Sequence, residues 1–154
     1  MSETTRSVLI LLGAAVLAVA GFFGARYWQG MQDQFTRIAP PSGCDLRAGP
    51  CAQQVDGGSV TLAIAPSPIP LMQPLRLSVV TDGLTVDEIS VEVRGLNMDM
   101  GLNRTRLTPV AGSHWEGETI LPLCSQRRME WEAAVLLRAS RRLEVPFRFH
   151  TQRP

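Results

Sequence analysis

The sequence is short of the groups that most enzymes use. Its 154 residues hold two histidines, and no serine or cysteine stands in a recognisable nucleophile motif, so the polar triads of hydrolases are missing. No glycine-rich phosphate loop follows a predicted strand, histidine-rich zinc patterns are absent, and the cysteine spacing is not that of a zinc ribbon. These absences argue against a hydrolase, a kinase or a zinc protein and point to a protein that is not an enzyme. Charge of one sign is missing too. Fifteen basic residues against 14 acidic ones leave a net charge of +1, which gives no field to attract nucleic acid or concentrate an anionic substrate. No repeat or low-complexity tract is visible.

What is present falls into unlike parts. Residues 7–25, SVLILLGAAVLAVAGFFGA, carry no charge and are about as long as a helix needs to be to cross the hydrocarbon core of a bilayer. Tyr27 and Trp28 suit the interface that follows. A cleaved signal peptide is the rival reading, because Ala18-Val19-Ala20 has the small-x-small form of a cleavage site. Against it, Gly21-Phe22-Phe23 carries the hydrophobicity onward and an aromatic, charged flank succeeds it. The expectation is a single-pass anchor in the cytoplasmic (inner) membrane, with residues 1–6 as a cytoplasmic tail and the rest in the periplasm. The charge bias is weak, with Arg6 before the helix and Arg26 and Arg37 after it; the layout of a short tail, a helix and a β domain decides the orientation.

Cysteine usage agrees with export. Cys44 and Cys51 lie in the Gly/Pro-rich stretch PPSGCDLRAGPC, where a short closed loop is sterically easy, and a disulfide between them fits an oxidising compartment. A thiolate metal site is the alternative for this pair. Cys124 is left over, and an unpaired thiol in an exported protein needs a reason. Residues 26–56 read as a linker that carries this disulfide and breaks at Pro40-Pro41.

From residue 57 to 154 the pattern becomes short alternating runs between turn residues, which predicts an all-β, immunoglobulin-like antiparallel sandwich. Seven strands are expected, at 59–65, 75–81, 88–95, 104–110, 115–121, 129–138 and 142–149. In the sixth, Met129, Trp131, Ala133, Val135 and Leu137 share a face. In the seventh, Leu143, Val145, Phe147 and Phe149 do so, with Glu144, Pro146, Arg148 and His150 opposite. Pro146 marks the last strand as an edge. Alternation of strand direction then sends the loop after the first strand, the end of the third, the turn before the sixth and the end of the seventh to one pole. The other connections, with His114, go to the opposite pole.

By that topology Met72, Met98, Met100, Cys124 and Met129 gather at one end, and His150 reaches the same end. Thioether and thiolate sulfur are soft ligands that favour Cu(I) over hard cations. Met98 and Met100 alternate on an extended segment and can act as a pair, Cys124 supplies an anionic donor, and His150 an imidazole. Each has a plainer reading. Met129, on the Trp131 face, is as well explained by packing; Met72, between prolines, reads as a hydrophobic plug; Cys124 reads as a small buried hydrophobe. Met98 and Met100 have no packing reason among Asn97, Asp99 and Gly101.

On these residues the stretch 59–151 resembles the FixH/YtkA-like group of membrane-anchored bacterial proteins. The similarity lies in PSPIPLMQPLRL before the second strand, NMDMG after the third, Trp115-Glu116-Gly117, and MEW with PFRFH in the closing strands. The resemblance implies an immunoglobulin-like periplasmic domain on one helix, linked to copper handling or to assembly of haem-copper oxidases. MDMG also looks like the methionine motifs of periplasmic Cu(I) chaperones, which carries Met98 and Met100 over as ligands. The chain departs from that pattern in lacking an early histidine partner and in having Cys124 with Met129. Two functions follow as expectations. One is a Cu(I)-binding accessory protein whose partner is a haem-copper oxidase subunit or a copper chaperone. The other is a metal-free interaction module, its helix packing within a membrane complex through Gly13, Ala14, Ala15, Ala18, Gly21 and Gly24.

Overall fold

The computed structural model describes residues 3–32 and 34–153, with side chains described for 11–28 and from 34 onward. The chain divides into two compact units, residues 1–34 and 35–154. The first is a helix, α1 (Glu3–Gln32). Residues 1–2 of the expected tail lie outside the described residues. The helix runs further than the apolar stretch because residues 26–32, RYWQGMQ, contain no proline to stop it. Its window Leu11–Trp28 is long and apolar enough to cross a membrane. Large apolar side chains on it, Leu11, Leu17, Phe22 and Phe23 among them, are exposed.

The second unit is a sandwich of two five-stranded sheets. Its strands are β1 (Thr36–Arg37), β2 (Cys51–Val55), β3 (Gly58–Ala65), β4 (Pro74–Asp82), β5 (Glu88–Gly95), β6 (Asn103–Arg106), β7 (Thr108–Ala111), β8 (His114–Ile120), β9 (Arg128–Arg138) and β10 (Arg142–Gln152). One sheet has the order β1-β10-β9-β5-β6 and the other β2-β3-β4-β8-β7. The expected pairing of the third and sixth strands is present, β5 running antiparallel to β9 with Gly95 opposite Trp131. The inward residues of both sheets form one core around Trp131, Phe147, Leu62, Leu77 and Ile89. Burying each such side chain stabilises the fold by roughly 1.5–3 kcal/mol. Trp131 keeps its indole satisfied by donating Nε1–H to Thr151 Oγ1 at 2.8 Å.

Three details differ from the sequence reading, while the expected disulfide is present. The fourth predicted strand is two strands in different sheets: Leu107, 2% exposed, turns into the core between β6 and β7, and Pro109 sits on the edge strand β7, where its missing donor costs no ladder bond. The stretch read as a linker joins the sandwich. Cys51–Val55 pairs with β3 across the tight turn Asp56-Gly57, Gly57 taking the positive φ of +93° that such a turn demands, and Leu46 is 2% exposed in the core. The Cys44–Cys51 disulfide is formed, with the α-carbons 5.8 Å apart, and Cys124 is free. Finally, β10 is covered over part of its length, since β1 pairs parallel with Leu143 and Glu144. Pro146 lies beyond that short partner, so the open edge that its chemistry requires begins there.

The outer face of the β10-β9-β5 sheet carries an ionic cluster. Glu132, 1% exposed, accepts from Arg37 Nη2 at 2.6 Å and from Arg94 Nε at 2.9 Å, with Arg148 at 3.5 Å. Arg37 and Arg94 also pair with Glu144. Burial pushes the Glu132 carboxyl up, but the hydrogen bonds from Arg37 and Arg94 outweigh it and hold the group below its ordinary range.

Candidate sulfur site at one pole of the sandwich

The two poles are as the alternation of strands requires. At one end β5 is clamped to the start of β9: Leu96 N–H donates to Glu130 O at 2.8 Å, Asn97 Nδ2 to Arg128 O at 3.0 Å, and Glu130 N–H to Asn97 Oδ1 at 3.1 Å. Asp99 Oδ1 then accepts Gly101 N–H at 2.9 Å, an Asx-type turn that carries the chain back toward β6. Between these bonds lies Met98, thrown outward and 38% exposed.

Cys124, in the β8–β9 connection, is 7% exposed. Its Sγ lies 2.8 Å from Met98 Sδ and also accepts Gln126 N–H at 3.5 Å. Met72, from the β3–β4 loop, meets the same connection: its N–H donates to Leu121 O at 2.9 Å and its Sδ accepts Leu123 N–H at 3.3 Å. Met100 and Met129 converge just below. A β-carbon at Gly95 would stand 3.0 Å from Met129 Cε and 3.3 Å from Met100 Cγ. All five sulfurs of the sequence reading therefore reach one end of the sandwich, in two tiers. Met98, Cys124 and Met72 form the outer tier; Met100, partly buried, and Met129, 3% exposed, pack with the core.

Three of the sequence-derived assignments change, the first being Met100, expected to pair with Met98 and to lack a packing role but packed against the core. His150 lies opposite Glu130 in the β9–β10 ladder, one residue from Thr151, which faces Met129. Successive side chains point to opposite sides of a strand, so the imidazole is on the outward side while Met129 is on the core side. There it lines a cavity of about 280 Å³ with Arg47, Ser67, Pro68 and Ile69. It acts at a distance on Asp45, whose carboxyl is held below its usual range mainly by the Arg47 hydrogen bond and to a smaller extent by His150. Met72 is not a plug. It is 63% exposed, and Ile69, 9% exposed, fills the core from that loop instead. His114 is at the other pole as expected, its Nε2 2.9 Å from Ser78 Oγ.

Around the outer tier the surface is apolar, with Leu96, Leu102 and Leu123 all exposed. Met98, Leu96 and Leu102 line an open groove of about 750 Å³ alongside Glu92, Arg94 and Asp99. Among the described residues no three or more of His, Cys, Asp and Glu come together where a metal ion would be held. The donors that do converge are sulfur, and one thiol with thioethers suits soft ions far better than hard ones. No known protein family, curated protein or solved structure matches the chain.

Proposed function

We propose that the protein binds Cu(I) at the Cys124–Met98 end of its sandwich and passes it on, as a single-pass accessory protein of the cytoplasmic membrane whose β domain lies in the periplasm. The observation that carries this reading is the 2.8 Å approach of Cys124 Sγ and Met98 Sδ. A thiol at the rim of the core, 7% exposed, and a thioether outside the core, 38% exposed, come from different loops and meet there. Metal–sulfur bonds of about 2.3 Å would hold two ligands of a three- or four-coordinate ion roughly 3.8 Å apart, so loading asks one sulfur to swing by about an ångström. Met98, in a loop with its side chain 38% exposed, has the freedom to do so.

The partner in this reading is a haem-copper oxidase subunit or a copper chaperone, which the resemblance to the FixH/YtkA-like group suggests and the short motifs above support. Delivery favours few, accessible, soft ligands, because the metal has to leave. The apolar rim of Leu96, Leu102 and Leu123 favours a second reading, a metal-free module that docks through this same end.

The deciding experiment is an anaerobic competition titration of the full chain in detergent micelles, with Cu(I) kept reduced by ascorbate so that the disulfide survives. The wild type should take up one Cu(I). Cys124→Ser should weaken binding on the order of 100-fold, since it removes the anionic ligand, and Met98→Leu should weaken it less with the fold retained, Leu and Met being close in volume. A wild type that ignores copper, or variants that bind as tightly as it does, would leave the docking module as the function.

A further inference from the structure

We infer that Met72 is the third sulfur ligand of the Cys124–Met98 site, supplied by the β3–β4 loop. The inference rests on the copper reading and changes its ligand set. Among the described residues, Met72 is the only non-glycine with a positive φ, +58°, a left-handed conformation in which a β-carbon crowds the following carbonyl. Such backbone geometry persists where the surroundings impose it and is frequent at ligand clamps. Here it is imposed by two bonds to one segment, from Met72 N–H to Leu121 O at 2.9 Å and from Leu123 N–H to Met72 Sδ at 3.3 Å.

Packing does not account for the residue. Its side chain is 63% exposed while Ile69 of the same loop is buried, so a methionine is held in a disfavoured conformation with its bulk in solvent and its sulfur against the residue that precedes Cys124. A thioether has two lone pairs. One receives Leu123 N–H, and the second is left to donate to a metal. Cys124, releasing its thiol proton to solvent as the metal binds, would then join Met98 and Met72 to give Cu(I) one thiolate and two thioethers, a neutral three-coordinate complex in keeping with its preference for soft donors. The inner-tier Met129, 3% exposed, is packing.

This set is graded by access: Met72 is the most open, Met98 intermediate and Cys124 nearly closed. An incoming soft donor therefore displaces Met72 first and Cys124 last. The order gives the site a direction of release that a buried ligand set would lack.

The test uses the full chain in detergent micelles with Cu(I) and a bidentate Cu(I) chelator as competitor, on wild type, Met72→Leu, Met72→Gly and Met129→Leu. X-ray absorption at the copper edge counts the bound sulfurs. Met72→Leu keeps the apolar bulk, and Met72→Gly accepts the left-handed backbone without strain, so a loss shared by both belongs to the sulfur. Both should bind about tenfold more weakly, release copper to the chelator faster, and show two copper–sulfur bonds instead of three; Met129→Leu should match the wild type. Wild-type affinity with three sulfurs in Met72→Leu, or loss of a sulfur in Met129→Leu, overturns the assignment while leaving the copper reading intact. Failure of the wild type to take up copper removes both.

Discussion

Gly95 lies directly beneath the carbonyl oxygen of Met98, so close that a β-carbon at position 95 would overlap that oxygen. The same β-carbon would press on Met129 Cε and Met100 Cγ at 3.0 and 3.3 Å. Gly95 is the last residue of β5, and its bareness lets the loop fold back over the strand end and set Met98 beside Cys124.

Gly95→Ala should therefore disturb the site and the fold together. The overlap is with backbone, which cannot swing away as a side-chain tip can, so the loop must lift. A loss of about 1–3 kcal/mol in urea unfolding is expected, with faster alkylation of Cys124 as Met98 is drawn off it. Unchanged stability and unchanged labelling would show that the loop has another way to close.

Glu132 makes stability depend on acid. Its native carboxyl is held below the ordinary value of 4.5, so the unfolded chain takes up the proton first as pH falls. The contribution is complete above about 4.5 and is lost as pH drops through the lower native value. Glu132→Gln should flatten this acid-side slope and cost about 2 kcal/mol at pH 7, because Arg37 and Arg94 lose a shared, nearly buried anion. Thermal melts of both proteins between pH 3 and 7 check the slope; parallel curves would place the acid sensitivity elsewhere.

The disulfide closes a short loop, with a sequence separation of 7. Cys44→Ala with Cys51→Ala should lower stability by about 2.5 kcal/mol on the chain-entropy estimate, and leave Cys124 as the one reactive thiol. Non-reducing peptide mapping of the wild type should show Cys44 joined to Cys51; a bridge to Cys124 in its place would remove the thiol from the site.

His150→Ala should leave Cu(I) affinity unchanged, since the imidazole is on the outward side of β10 and the sulfurs are elsewhere. A weaker site in this variant, measured by the same competition titration, would restore His150 to the ligand set.

Much of the sandwich is legible because Met129, Trp131, Val135 and Leu137 in the sixth predicted strand and Val145, Phe147 and Phe149 in the seventh recur at a period of two and are buried in the core. Strand β2 is not legible in the sequence because Ala52, Gln53 and Gln54 offer no apolar alternation. Its signal was the Asp56-Gly57 turn. The split between β6 and β7 was hidden in a continuous run, where only Leu107 among polar neighbours marks the corner. For the site, strand direction correctly brought Met98, Met100, Cys124 and Met129 to one end. His150 reaches that pole too, but the alternation that buries Phe147 and Phe149 turns it outward. Met72 reaches the same end by the same argument, but its exposed, left-handed setting is not legible in the sequence, since its backbone conformation and the loop it touches depend on contacts between segments distant in the chain.

Strand β1 has a mechanical consequence. It is only two residues long, it pairs with β10 near Leu143, and it is the first part of the sandwich that tension arriving from the N-terminal side would meet. Tension would strip it, with the Arg37 ion pairs, before loading any longer ladder. Residues 36–43 would then straighten to a length of at most about 26 Å at roughly 3.3 Å per residue. At Cys44 the slack ends, because the covalent bridge hands the load to Cys51, whose backbone is laddered to Leu62. The disulfide is thus a travel stop, and with it cut the buried Leu46 side chain would be the next hold on the segment leading to residue 51.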